Sequence, residues 1–160
     1  MTISVGEKIP DVPLKAVTAG EVTDVRTGDV LGSGKVVLFG VPAAFSPTCS
    51  DAHLPGFVMH AAELTGKGVA KVVCVSVNDF FVMKAWAEAQ HAGDIVMLAD
   101  SAAAFTTAMG LDLDTGDFGL GVRSQRYSAV IEDGVVTSVE VEAGLGDHDM
   151  SSAERVLTKL

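Results

Sequence analysis

The chain of 160 residues carries 21 acidic against 11 basic residues, a formal net charge of −10, with 48% hydrophobic residues and a mean hydropathy of +0.38. A chain this apolar and this long folds as one domain around its own core, and without a Lys/Arg cluster it lacks the counterion-release term behind binding to nucleic acid or anionic membranes. No apolar run reaches the roughly 18 residues of a membrane span, and Met1–Pro10 lacks the basic and apolar regions of a secretion signal, so a cytoplasmic location is expected.

Taken along the chain, residues 1–35 hold one or two edge strands, among them the stretch VPLKAV. A β-branched run at Val36–Phe39 is followed by a helix whose apolar positions Leu54, Phe57, Val58, Ala61 and Leu64 keep helical spacing, with Pro55-Gly56 expected to distort its first turns. The strand Lys71–Val77 leads to a helix capped by Asp79, with Val82, Ala85, Trp86 and Ala89 as its apolar stripe. After a strand at Ile95–Leu98, a short helix is expected from Ser101 as cap to Gly110 as stop, then a long glycine-rich loop over Gly110–Ser124. Strands Tyr127–Ile131 and Val135–Val141 are joined by Asp133-Gly134, the pair that suits a type I′ hairpin turn. A last helix opens at Ser151 with Glu154 at capping-box spacing and buries Val156, Leu157 and Leu160. Strands alternating with helices, then a hairpin and a closing helix, predict an α/β domain with a thioredoxin-like fold, a mixed central sheet flanked by helices on both faces.

Two cysteines, Cys49 and Cys74, stand 25 residues apart. Without a secretion signal a permanent disulfide is disfavoured, which leaves catalysis, redox cycling, metal binding or packing. Cys49 follows a strand and a loop with Pro42 and Pro47, and precedes a helix, where free backbone N–H groups and the helix dipole favour a thiolate. A buried, inert cysteine is the competing interpretation. The hydroxyls of Ser46, Thr48 and Ser50 argue for a polar pocket instead.

The segment VPAAFSPTCS, with Pro42, Ser46 and Cys49 in the arrangement P-x-x-x-(T/S)-x-x-C, resembles the active-site motif of the peroxiredoxins. Together with CVSVNDFFVMKAW (Cys74–Trp86) and RYSAVIEDGVV (Arg126–Val136), it is similar to the type II, atypical 2-Cys branch. The resemblance implies a thiol peroxidase that needs no cofactor or metal and acts on H2O2 or alkyl hydroperoxides. Cys49 would attack the peroxide and become a sulfenic acid. Arg126 would supply cationic donors, Ser46 a hydroxyl, the Thr48 and Cys49 backbone N–H groups a cradle for the departing oxygen, and Pro42 a shield against water. The branch often has Thr where this chain has Ser46, which keeps the hydroxyl and loses the methyl that fixes its rotamer. Reduction by glutaredoxin with glutathione, or by thioredoxin, and a homodimer are implied in the same way.

Cys74, inside the valine-rich run KVVCVSV, reads from its neighbours as core packing, whereas the resemblance makes it a resolving cysteine that forms a disulfide with Cys49. His53 is expected to tie the loop to the kinked helix, with a general base or a metal site with the cysteines as alternatives; His60, His91 and His148 show no ligand spacing. Arg123 is expected to brace the site from behind. Phe118 and Leu120 either line the peroxide channel or a dimer contact, or simply pack. The rival functions are a thioredoxin-type oxidoreductase, which would show C-x-x-C, a Cys/His metal protein, and a non-enzymatic redox-sensing or chaperone-like module.

Overall fold

In the computed structural model, which describes residues 1–160, the β-branched runs become the centre of a seven-stranded sheet. Its strands are β1 (Pro13–Thr18), β2 (Glu21–Arg26), β3 (Lys35–Val41), β4 (Val69–Ser76), β5 (Val96–Ala99), β8 (Tyr127–Glu132) and β9 (Val135–Val141), in the order β2-β1-β5-β4-β3-β8-β9; β6 (Asp112–Asp114) and β7 (Val122–Ser124) pair separately. β3, β4 and β5 run parallel, as helical crossovers require, while β1 and β8 flank them antiparallel. The β8–β9 turn at Asp133 (φ 48) and Gly134 (φ 82) has both central residues left-handed, as a type I′ turn demands.

Alternation along β3 builds two cores. Val37, Phe39 and Val41 face one layer with Cys49, Phe57, Leu64, Cys74, Met83 and Trp86; Val36 and Leu38 face the other with Leu31, Phe105, Met109 and Tyr127. Helices α2 (Leu54–Met59), α3 (Ala61–Gly66), α4 (Phe80–Ala89) and α6 (Ala153–Leu157) cover the first face, and α1 (Thr27–Val30) and α5 (Ala104–Ala108) the second. Each large apolar side chain fully withdrawn from water stabilises by about 1.5–3 kcal/mol, so β3, buried on both faces from Val36 to Val41, is a firm base for the loop that follows it.

Local signals were outvoted at several points. Residues 1–35 supply a β1–β2 hairpin, and β1 is interior to the sheet rather than an edge. On α4, Asp79 caps as expected, accepting from the Val82 amide at 2.9 Å. The buried face, however, is Met83 and Trp86 with Phe80 and Ala87 packed beside them, while Ala85 and Ala89 are exposed. Burying Met83 removes far more apolar area than burying an alanine, and the helix rotates accordingly. The first amides of α5 are satisfied by Asp100, four residues before the helix, and not by the exposed Ser101: the Asp100 carboxylate accepts from the amides of Phe105 (3.1 Å) and Thr106 (2.8 Å), two orphan donors where a hydroxyl satisfies one. At α6 the capping hydroxyl is Ser152, accepting from Arg155 N, because Ser151 is engaged elsewhere. The expected loop over 110–124 contains the β6–β7 hairpin.

Candidate active site

β3 delivers the chain to the site. Gly40 lies under the Tyr127 ring, where an added Cβ would overlap it, so β8 closes directly on the strand end. Pro42 is buried, Phe45 takes a left-handed φ of 67°, and helical backbone begins at Pro47, the first position at which proline loses nothing. Cys49 is the third residue of that helix, among amides that have no partner within it. From Cys49 to His53 the helix widens, the Leu54 amide donating to the Cys49 carbonyl five residues back, a π-turn of the kind that clusters at functional sites. The widened turn puts both Cys49 and His53 against Arg126.

Two donors converge on the sulfur. Ser46 Oγ is 2.8 Å and Arg126 Nη2 3.1 Å from Cys49 Sγ. Ser46 Oγ is also 2.7 Å from the Ala43 carbonyl, and a hydroxyl has one proton to give. It donates to Ala43 when the sulfur is a thiol and can turn to the sulfur when that is a thiolate.

Arg126 is 2% exposed, with no carboxylate in contact. Its Nη1 donates to His53 Nδ1 at 3.0 Å, and Leu145 O accepts from Nη2 at 3.1 Å and Nε at 3.4 Å. A guanidinium has no acceptor, so His53 Nδ1 must accept, and its Nε2–H donates to the Ser151 carbonyl at 3.0 Å. Burial, then the Arg126 charge, hold His53 well below the usual histidine range, which keeps it neutral. It is not a base for Cys49, since its only lone pair is on Arg126. An anionic sulfur is the one charge that would meet this buried cation directly.

A protein-family model described as Redoxin matches residues 4–157. Peroxiredoxin-2E-2, chloroplastic, of Oryza sativa subsp. japonica is 46% identical over 99% of this chain and 73% of its own length, and Peroxiredoxin-2B of Arabidopsis thaliana 43% identical over 99% and 98%. The solved structure of reduced Prx3 from Vibrio vulnificus in complex with H2O2 is 47% identical, covers 99% of this chain and 96% of that one, and superposes with a TM-score of 0.92. The chain belongs to the redoxin family, as a peroxiredoxin. Its chemistry is that of a thiol peroxidase, and the expected thioredoxin-like fold is the one present.

In this peroxiredoxin the predicted residues Ser46, Cys49 and Arg126 meet, with Pro42 buried beside the loop and Thr48 half-buried, its hydroxyl making no hydrogen bond. The hydroxyls expected around Cys49 point to a polar pocket, yet the sulfur's residue is 0% exposed. The partly exposed Ser46, its hydroxyl in contact with the sulfur, lies between that burial and the surface. Cys74 is also 0% exposed and lies in the same core layer, unbonded to Cys49. Burial, with the Cys49 charge adding to it and Arg126 opposing, pushes the Cys74 thiol well up. Arg123 does not reach the sulfur; it donates to Val77 O (2.6 Å) and Leu120 O (2.8 Å), pinning the β6–β7 hairpin to the end of β4. Phe118 and Leu120 are exposed and pack against nothing in this chain's core.

Several contributors had no role at the site assigned to them from sequence. Trp86 Nε1 donates to Ser50 Oγ at 3.0 Å and anchors the π-turn from α4. Asn78 Oδ1 accepts from Ala44 N at 3.0 Å and fixes the loop before Ser46. Leu145 acts through its carbonyl, which no side-chain pattern reveals, and His148 stacks edge-on against His53 with centroids 5.2 Å apart. His60 bridges Glu63 (2.9 Å) and Glu154 (3.1 Å), linking α3 to α6.

Proposed function

We propose that Cys49 is the peroxidatic thiolate, acting on H2O2 and small alkyl hydroperoxides, with Arg126 and Ser46 as its catalytic donors. The observation that carries this reading is the convergence of Arg126 Nη2 and Ser46 Oγ on one buried sulfur. The thiolate attacks the hydroxyl oxygen of the peroxide; the S–O bond forms as O–O breaks, sulfur is oxidised to sulfenic acid, and the leaving oxygen departs as hydroxide or alkoxide and takes a proton from water. Arg126 stays charged throughout and steadies that departing oxygen, as donors aimed at developing charge do. The amides of Thr48 and Cys49, early in the helix, add to the cradle, and buried Pro42 limits water.

The reading extends to reduction and assembly. Cys74 attacks the sulfenic acid, S–S forms and water leaves, and glutaredoxin with glutathione, or thioredoxin, returns both thiols using two electrons. Because Cys74 is fully buried and held protonated, the helix from Pro47 must open first. The exposed side chains of Phe45, Phe81, Phe118, Leu120 and Val122, all borne by segments around the site, support a homodimer. Two free cysteines suit a reducing, cytoplasmic setting. The test is mass spectrometry after one equivalent of peroxide. A Cys49 sulfenate that converts to a Cys49–Cys74 disulfide is expected; a sulfenate that persists until glutathione is added removes Cys74 from the cycle, and an unmodified Cys49 overturns the assignment.

A further inference from the structure

Arg126 is aimed at the sulfur by two neutral partners, Leu145 O and His53, and both depend on one segment, the loop from Glu142 to Ser151 that joins β9 to α6. Leu145 sits in that loop, and Ser151, at its end, supplies the carbonyl that orients His53. The two ends are tied together by a buried carboxylate. Glu142, 7% exposed, accepts through one oxygen from both Ser151 N (2.7 Å) and Ser151 Oγ (2.6 Å), while its own amide donates to Arg126 O at 2.9 Å. No cation lies within ion-pair distance of Glu142.

Burying a carboxylate without a cation is costly, and an apolar residue could close a loop at less expense. Arg126, Glu142, Leu145, Leu113 and Gln125 also line a cavity of about 60 Å3, so packing around the arginine is not solid on every side. Its direction is therefore set by hydrogen bonds. We propose that Glu142, acting through Ser151, is a positioning residue for Arg126: it clasps the loop shut so that Leu145 O and His53 keep the guanidinium on the Cys49 sulfur. Burial raises Glu142, but the Ser151 hydroxyl, the Ser151 and Met150 amides and the nearby His148 outweigh it and hold the carboxyl below its ordinary range, so the clasp is charged at neutral pH.

The inference rests on the peroxidatic reading of Cys49, and two measurements separate them: stopped-flow oxidation of Cys49 by H2O2 and titration of its thiolate absorbance near 240 nm. In Glu142→Ala the oxidation rate is expected to fall about 10- to 100-fold, the loss of a charge-assisted contact, and the thiol titration to move to higher pH as Arg126 leaves the sulfur. Glu142→Gln, which keeps an oxygen for Ser151 but loses the charge, recovers part of the rate, and Ser151→Ala, which keeps its amide and carbonyl, slows oxidation by only a few-fold. Circular dichroism and a melting curve establish that each variant is folded; should Glu142→Ala not fold, a few-fold slowing with an upward titration in Ser151→Ala carries the test. Wild-type rate and titration in the folded variants overturn the role of Glu142 and leave the peroxidase reading standing. A wild-type protein that does not oxidise at Cys49 removes the peroxidase reading, and the titration still reports on the clasp.

Discussion

Cys49 and Cys74 are both 0% exposed and belong to the same apolar layer, yet their surroundings share little. Cys74 lies on β4 opposite Phe39, in a strand whose polar groups are spent on sheet hydrogen bonds, and no donor reaches its sulfur. Cys49 lies at a helix start, where backbone amides are free, and receives a hydroxyl and a guanidinium. Burial alone raises the cost of a thiolate at either place. Directed donors are what distinguish the two sulfurs, and one of them comes from far along the chain: Ser46 is 3 residues from Cys49, Arg126 is 77.

The comparison breaks outright if Cys49→Ser, with its hydroxyl still able to accept from Arg126, consumes peroxide above background in a coupled peroxidase assay; consumption is expected to vanish. Arg126→Ala should slow stopped-flow oxidation of Cys49 by about 10²–10³, the size of losing a principal donor to a developing oxyanion. Arg126→Lys should recover little of it, since a point charge cannot span the sulfur, His53 and Leu145 O together. Ser46→Ala is expected to cost about 10-fold, one hydrogen bond, in the same measurement.

The polar surroundings of Cys49 also carry a stability signature that those of Cys74 lack. His53 is held neutral by burial and then Arg126, and His148, by burial and then Arg126, is lowered in the same direction. The unfolded chain takes up those protons near pH 6.5 and the folded chain refuses them, so stability should decline as pH falls below about 6.5, by up to about 1.4 kcal/mol per pH unit for each withheld proton. Denaturant titrations at pH 7, 6 and 5 measure the slope, and His53→Gln should flatten it. His60, raised by its hydrogen bonds to Glu63 and then Glu154, works in the opposite sense: its contribution is complete below the ordinary histidine value and is lost as pH rises through the raised one. The largely exposed carboxylates make that the weaker of the two. Smallest of all in the oxidation step, Cys74→Val should leave Cys49 oxidation within about two-fold, at a stability cost of about 1–3 kcal/mol for the extra methyl in a packed core; a large loss in the oxidation step would show that the two sulfurs are coupled before any disulfide forms.

The main strands and the Asp133-Gly134 turn were legible because β-branched runs and paired left-handed positions are local signals. Misreadings arose where a local signal had a stronger tertiary competitor: Ser101 against the carboxylate of Asp100, Ser151 against Ser152 once Glu142 claims the former, and the α4 stripe against the larger area of Met83. Ser46, Cys49 and Arg126 could be named from motif position, but Glu142, Leu145 and His148 could not, because a carbonyl, a cavity wall and a ring stacked across the fold leave no spacing behind.

From its residues alone this protein is an acidic α/β domain with one thiol at a proline-bounded helix start, since periodicity, turn chemistry and helix-terminal donors are all functions of near neighbours. The contact between that thiol and an arginine without a carboxylate, the neutral tautomer of His53, and the full burial of the sulfur were decided by the tertiary structure. They depend on where β8 and the loop after β9 arrive relative to the widened turn, a matter of three-dimensional packing that no stretch of chain encodes by itself.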